Sequence, residues 1–215
     1  MLKNDYLLIN QNHYAPHLPP LAEKLNALQK NSVTYQKEIH KDSRFAICRY
    51  LIEFIDGHYQ LTYDPIKSQR ASTEKKANTD PSILHCESVE KIIHQFLADI
   101  GKSTLNRVEV KLIQTEIFPF KFNIHRDSQF KRLRHIQYLT TVLISASGIE
   151  GGEMQLFHSE NDMLGPFSMI EEIPTLAGTG YIVDETQKRI FHGMKTAIKL
   201  DETAHRAALL MRFFE

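Results

Sequence analysis

The chain has 215 residues, of which 42% are apolar and 24% are charged, the composition of an ordinary globular protein. Its 26 basic and 26 acidic residues balance, so the sequence offers no electrostatic argument for binding nucleic acid or an anionic membrane. Cys48 and Cys86 are too few for a disulfide framework. No apolar run is long enough for a secretion signal or a membrane span, and we therefore expect a cytoplasmic protein with free thiols.

The first predicted elements are a helix and a strand. Residues 19–30 begin at two prolines and place Leu21, Leu25 and Leu28 on one helical face. Residues 44–56 are rich in aromatic and β-branched side chains, which favours one strand or two.

A polar segment and a second helix come next. Residues 64–82 are polar and contain proline, asparagine and serine, which predicts a long loop and a candidate lid. Residues 87–101 keep an apolar period of 3.6 and end at Gly101, which predicts an amphipathic helix.

Strand-like runs separated by turn signals fill the rest of the chain. Helices followed by many short strands predict an α+β fold in a single domain, 1–215. The helical and strand-containing N-terminal part spans 1–106, and a double-stranded β-helix, or jelly roll, spans 107–215. The predicted strands are 107–118, 135–145, 152–157, 180–184, 188–192 and 205–214.

The triplet His125-Arg126-Asp127 is the first candidate for chemistry. On an extended strand residues two apart point to the same face, so His125 and Asp127 converge while Arg126 points to the outer face. The same alternation makes Asn123 a candidate for the pocket lining. His192 ends a later strand-like run. Two imidazoles and one carboxylate are the protein ligands of the facial triad of non-haem Fe(II), which leaves three positions open.

Two arginines share one face of the last predicted strand. Arg206 would project into an apolar barrel and would need an anionic partner there. Arginine pairs best with a carboxylate, and an oxoacid chelated to the metal through its other end would supply one. Arg212 lies roughly 20 Å further along at about 3.3 Å per residue, so we expect it in an ion pair at the barrel rim, away from the metal.

The order H-x-D, a histidine about 65 residues on and an arginine about 14 residues further resembles the Fe(II)/2-oxoglutarate-dependent dioxygenases. Within them the chain is most similar to the bacterial branch that includes the free L-isoleucine hydroxylases. The resemblance runs from Arg44 to the C-terminus. It is carried by RFAICRYLIEF (44–54), VKLIQTEIFPFKFNIHRD (110–127), GGEMQLF (151–157), LAGTGYIVDETQKRIFHGM (176–194) and HRAALLMRF (205–213).

The resemblance implies catalytic iron ligands, a cosubstrate and a substrate class. His125, Asp127 and His192 would bind Fe(II), and Arg206 would bind the distal carboxylate of 2-oxoglutarate. The enzyme would use O2 to hydroxylate an unactivated C–H bond of a small substrate, by resemblance a free L-amino acid.

The chain departs from the family pattern at two places. Members of the branch often carry a proline a few residues after the distal histidine, where this chain has residues 195–197, Lys-Thr-Ala. Many relatives have a hydroxyl residue two positions after the arginine, where this chain has Ala208. Thr141 or Tyr138 on a neighbouring strand could replace that hydroxyl in binding the cosubstrate.

Arg44 and Arg49 lie in the segment that resembles the family's N-terminal arginine-rich strand. A regular strand puts them on opposite faces, so at most one lines the site unless a bulge intervenes. Two interpretations stay open, capture of a substrate carboxylate and a surface salt bridge.

Two other function classes also stay open. A catalytically silent jelly roll could bind a metal or an oxoacid as a sensor or scaffold. A zinc hydrolase could use the same three ligands with a metal-bound water. In each case the expected partner is a small molecule rather than a nucleic acid or a membrane.

Overall fold

The structure is a computed structural model that describes residues 5–28, 44–74, 77, 79–101, 104–130, 133–160 and 165–215. Its helices are α1 (Gln11–Tyr14), α2 (Pro19–Lys24), α3 (Pro65–Glu74) and α4 (Glu87–Ile100). Its strands are β1 (Tyr6–Leu8), β2 (Arg44–Ile55), β3 (His58–Tyr63), β4 (Arg107–Thr115), β5 (Phe120–His125), β6 (Ile136–Ser147), β7 (Ile149–Glu150), β8 (Met154–His158), β9 (Ser168–Ile173), β10 (Gly180–Asp184), β11 (Ile190–Lys199) and β12 (His205–Phe214). None of these helices is long and apolar enough to cross a bilayer.

Two antiparallel sheets form the core of the fold. The larger sheet has the order β1-β10-β6-β12-β4-β2-β3, and the smaller has the order β5-β11-β8-β9, with β7 paired to β11. Leu139 and Leu143 of the larger sheet pack with Met154 and Leu156 of the smaller one, so the sheets face each other. The predicted α+β jelly roll flanked by N-terminal helices is confirmed.

The larger sheet has a helix side and a cavity side, and strand β12 contributes side chains to both. Because side chains alternate along a strand, one set of its side chains faces α4, and the other set, which includes both arginines, faces the smaller sheet. On the helix side Phe213 stacks on Phe96 of α4, with ring centroids 3.8 Å apart. The helix-facing set is Ala207, Leu209, Met211 and Phe213, and the opposite set is Arg206, Ala208, Leu210 and Arg212.

The predicted N-terminal elements are largely confirmed. Helix α2 is shorter than predicted and continues as a 3-10 turn, Leu25–Ala27, while residues 29 and 30 lie outside the described residues. The predicted leucine face is buried. Strand β2 is one strand, and α4 ends where predicted, at Gly101 in the left-handed conformation with φ 59°.

The prediction of a loop over 64–82 is wrong, because this segment contains α3. The Asp64 side chain accepts the main-chain N–H of Lys67 at 2.8 Å, which caps the helix. Helix α3 packs against β2. Its buried side chains, Ser68, Ala71 and Ser72, are small, so the sequence shows no apolar period there. A packed helix also removes the basis for the lid hypothesis.

Candidate metal centre and active-site cavity

Three side chains converge where β5 meets β11. His125 ends β5 and lies opposite His192 in the register of the two strands, and Asp127 opens the 3-10 turn that follows. Nε2 of His125 lies 3.2 Å from Nε2 of His192 and 3.5 Å from Oδ1 of Asp127. Nε2 of His192 lies 3.9 Å from the same oxygen. The structure therefore brings together the three residues that the sequence singles out.

The spacing of these three atoms fits a divalent metal ion. Adjacent ligand atoms of an octahedral ion with bonds of about 2.1 Å lie about 3 Å apart, which the three atoms reach with small adjustments. Imidazole nitrogen and carboxylate oxygen are the donor set of a non-haem Fe(II) site. His125, Asp127 and His192 could hold such an ion.

The electrostatics of the three ligands also suit a cation. Burial and the nearby His125 lower the pKa of His192 to about 3, so its imidazole is neutral and can bind metal. Burial acts in the same direction at His125, but hydrogen bonds with Asp127 and the Asn123 carbonyl outweigh it and raise the pKa of His125. When the His125 imidazole is protonated, its Nε2 shares a proton with Asp127. A bound cation would take the place of that proton.

A hydrogen bond on the ring nitrogen that faces away from the metal position fixes the orientation of His125. Its Nδ1 donates to the main-chain carbonyl of Asn123 at 2.7 Å. A carbonyl only accepts, so this bond keeps a proton on Nδ1 and makes Nε2 the ring nitrogen that is available to a metal. Metal-binding histidines are commonly held in this way by a partner on the other ring nitrogen.

A cavity of about 300 Å³ opens over the three ligands. Much of its wall is apolar, which keeps water from a bound substrate. The apolar lining includes Phe122 and Phe130 beside His125, together with Met154, Met194 and Leu210.

Arg206 projects into this cavity from β12. It is buried, and its Nε donates to the Gly152 carbonyl at 3.3 Å. No carboxylate of the described residues lies within 4.0 Å of its guanidinium. Burial lowers the pKa of Arg206 to about 10, so the side chain remains a cation at neutral pH. A buried cation on a cavity wall is a ready site for a ligand carboxylate.

Two hydroxyl groups also line the cavity with Arg206. Thr141 on β6 donates to the Tyr181 hydroxyl on β10 at 3.4 Å. Burial raises the pKa of Tyr181, so its hydroxyl stays protonated and can donate in turn. The sequence indicates Thr141 but not Tyr181, because a tyrosine inside an apolar strand is indistinguishable from a core residue.

Among the comparisons with known proteins, only the one with solved structures found similar proteins. No family model and no curated protein matches the chain. A bsmA homolog from Methylobium petroleophilum matches with a TM-score of 0.66 and 12% identity, over 98% of this chain and 88% of that one. IDO from Bacillus thuringiensis matches with a TM-score of 0.65 and 14% identity, over 98% and 94%. The Fe(II)/α-ketoglutarate-dependent dioxygenase TqaL matches with a TM-score of 0.65 and 13% identity, over 99% and 83%.

This chain has the fold of the 2-oxoglutarate/Fe(II) oxygenases. At such low identities the likeness concerns the fold, so the function must be argued from the residues of this chain.

The structure corrects two predicted contacts. Tyr138 is three positions from Thr141 and therefore faces the other side of β6, where it lies edge-on to Phe96 in the helix-side core. Asn123 is exposed, because a register shift between β5 and β11 places Phe122 opposite Met194. Phe122 lines the cavity in its place, and Asn123 contributes its main-chain carbonyl to His125.

Arg44 and Arg49 lie outside the cavity lining, which corrects their predicted role in binding the substrate. Arg44 pairs with Glu116 at 3.2 Å. Arg49 pairs with Glu109 at 2.9 Å. Both guanidinium groups already have a carboxylate, as the salt-bridge interpretation expects.

Arg212 and Arg126 both lie in surroundings other than those predicted. Arg212 is in an ion pair, but its Nε donates to Oδ2 of Asp127 at 2.6 Å, so the expectation that it lies away from the metal is wrong. Arg126 is buried rather than on an outer face. Its guanidinium donates to the Lys188 carbonyl and lies 5.4 Å from the ring centre of Phe191.

Proposed function

We propose that the protein is an Fe(II)- and 2-oxoglutarate-dependent dioxygenase that hydroxylates an unactivated C–H bond of a small substrate. The observation that carries the proposal is the convergence of His125, Asp127 and His192 beneath a cavity into which Arg206 projects. Three protein ligands leave three positions on an octahedral ion, as this chemistry requires. A zinc hydrolase could use the same ligands but would have no need of Arg206.

In this proposal Arg206 binds the distal carboxylate of 2-oxoglutarate. Its fork of N–H groups suits a carboxylate, and its burial makes the pairing stronger than it would be in water. Thr141 and Tyr181 supply hydroxyl groups to the cavity wall, on which Ala208 has none. The cosubstrate would chelate the metal through its oxoacid end, in the cavity that Arg206 and the three ligands share.

The metal, when bound with 2-oxoglutarate and O2, supplies an oxidant able to take hydrogen from an unactivated C–H bond. The chain supplies geometry and excludes water. His125 and His192 would bind the metal through neutral imidazole nitrogens, and Asp127 would bind it through a carboxylate oxygen. Phe122 and Phe130 border His125, so they would hold an apolar part of the substrate next to the metal.

We infer a free L-amino acid as the substrate from the resemblance to the bacterial free L-isoleucine hydroxylases. The cavity volume of about 300 Å³ favours a small molecule over a folded protein.

An anaerobic binding experiment tests the proposal. Adding Fe(II) and then 2-oxoglutarate to the protein should produce the visible charge-transfer band of the chelate. The band should be lost in His125→Ala and kept in His94→Ala, a matched change at an exposed position of α4. Wild-type protein without a band, or an unchanged band in His125→Ala, would overturn the proposal.

Two further measurements separate the alternatives. Succinate release across a panel of the twenty free amino acids should identify the substrate, whereas a silent binding protein would release none with any of them. Full activity of Arg206→Ala would favour a zinc hydrolase.

A further inference from the structure

The two carboxylate oxygens of Asp127 have different neighbours. Oδ1 is the oxygen near the imidazoles, 3.5 Å from His125 Nε2 and 3.9 Å from His192 Nε2. Oδ2 accepts a hydrogen bond from Nε of Arg212 at 2.6 Å. Only Oδ1 is therefore directed at the metal position, while Oδ2 is occupied by a cation.

Arg212 is itself held by a buried ion pair. Its Nη1 lies 3.3 Å from Oε1 of Glu109, which is 4% exposed. The other oxygen of Glu109 accepts from Nη2 of Arg49 at 2.9 Å and from its Nε at 3.2 Å. The resulting chain Asp127–Arg212–Glu109–Arg49 alternates in charge and ends at Arg49, which lines a second cleft.

The sheet gives this chain of ion pairs little freedom to move. Arg212 of β12 lies directly opposite Glu109 of β4, and Glu109 lies directly opposite Arg49 of β2. Side chains at directly opposed positions of an antiparallel pair are cross-strand neighbours. The three groups thus come from one row across three adjacent strands, so the position of the Arg212 guanidinium is set by the sheet.

We propose that Arg212 is a positioning residue that makes Asp127 bind the metal through Oδ1 alone, and that Glu109 and Arg49 hold Arg212 in place. The inference rests on the proposed function. A carboxylate that bound through both oxygens would take one of the three positions that 2-oxoglutarate and O2 need. The short, charge-assisted bond to Oδ2 opposes that second contact.

A lysine at position 212 separates this role from a general need for positive charge. Lysine keeps the charge but lacks the planar fork that reaches two carboxylates at once. If Arg212 acts only through its charge, Arg212→Lys should behave as the wild type. If it acts by fixing Oδ2, both Arg212→Lys and Arg212→Met should alter the metal site.

The experiment uses Co(II) as the metal probe, because the visible absorption of bound Co(II) reports its coordination. We expect both variants to bind Co(II) with a changed spectrum and to bind 2-oxoglutarate about tenfold or more weakly than the wild type. Arg107→Met is the matched control, since Arg107 lies over the Phe214 ring outside the metal cavity and its loss should change neither quantity. A wild-type spectrum and wild-type 2-oxoglutarate affinity in Arg212→Lys would overturn the inference.

A second measurement decides the matter if a variant fails to fold. A crystal structure of the wild-type protein with Mn(II) should show Asp127 bound through one oxygen, with Arg212 on the other. Binding through both oxygens would overturn the inference. Failure of the wild-type protein to bind Co(II) would instead disprove the proposed function, and the inferred role of Arg212 as well.

Discussion

The carboxylate of Glu185 accepts the main-chain N–H of Asp127 at 3.3 Å. Its second oxygen accepts the N–H of Ser128 at 3.0 Å, and the side chain is buried. Glu185 therefore fixes the backbone that carries the metal carboxylate, as a partner of a ligand rather than as a ligand itself. Nothing in the sequence near Glu185 indicates this role, because the two segments meet only through the packing of the fold.

Replacing Glu185 should destabilise the turn at Asp127. Glu185→Ala leaves two N–H groups without their acceptors and should lower the free energy of unfolding by about 2–4 kcal/mol. Glu185→Gln keeps one acceptor oxygen and should lose less. Urea denaturation measures both values, with Glu53→Ala at an exposed position of β2 as the control. Equal losses in the alanine and glutamine variants would contradict this account of the turn.

Arg206 should stabilise the bound cosubstrate at the expense of the empty protein. A buried cation without a carboxylate is costly, so Arg206→Met should leave the free energy of unfolding unchanged or raise it by about 1 kcal/mol. The same change should weaken 2-oxoglutarate binding more than about 100-fold, since it removes a buried charge-assisted pair. Denaturation of the metal-free protein gives the free energy of unfolding. Anaerobic titration of the Fe(II)-loaded protein with 2-oxoglutarate gives the affinity.

Arg206→Lys refines that test. It keeps the charge but loses the bidentate fork, so its affinity for 2-oxoglutarate should lie between those of the wild type and Arg206→Met. A large loss of stability with unchanged affinity for 2-oxoglutarate would make Arg206 a structural residue.

Tyr181 and Tyr138 make a matched pair for the cosubstrate subsite. Tyr181 lines the cavity beside Thr141, whereas Tyr138 faces α4. Removing one hydroxyl from the subsite should weaken 2-oxoglutarate binding about threefold to tenfold, the value of one ordinary hydrogen bond. We therefore expect this loss in Tyr181→Phe and no change of affinity in Tyr138→Phe. The opposite result would restore the prediction made from sequence.

The sequence predicts those parts of the site that depend on local periodicity. Alternation along β12 places Arg206 in the cavity, and the H-x-D spacing brings His125 and Asp127 together. It fails where a single irregularity changes the face of a strand. The register shift between β5 and β11 turns Phe122 inward and leaves Asn123 exposed. No residue type at that point indicates a bulge.

The contact between Arg212 and Asp127 could not be predicted for a different reason. The separation of about 20 Å along β12 concerns Arg206 and Arg212. It does not locate Asp127, which comes from a turn on the other sheet. Helix α3 was missed because its buried face consists of serine and alanine, so its packing leaves no apolar period in the sequence.

Gly180 of β10 pairs with Val142 of β6, next to the hydroxyl pair of the proposed subsite. A Cβ at this position would lie 2.0 Å from the main-chain oxygen of Thr141 and 3.0 Å from Ile9. Because the first contact is with backbone, the two strands would have to separate. Gly180→Ala should therefore lower the free energy of unfolding by about 2 kcal/mol or more.

Gly193 of β11 offers the matched control for this change. A Cβ there would meet the Phe122 carbonyl oxygen at 3.4 Å, an ordinary contact, so Gly193→Ala should cost less than about 1 kcal/mol. Urea denaturation of the two metal-free variants compares them directly. Separation of β10 from β6 would also move Tyr181 away from Thr141, so Gly180→Ala should weaken 2-oxoglutarate binding as well. Equal stability of the two variants would mean that β10 can shift without cost, and that the spacing of this hydroxyl pair is not set by Gly180.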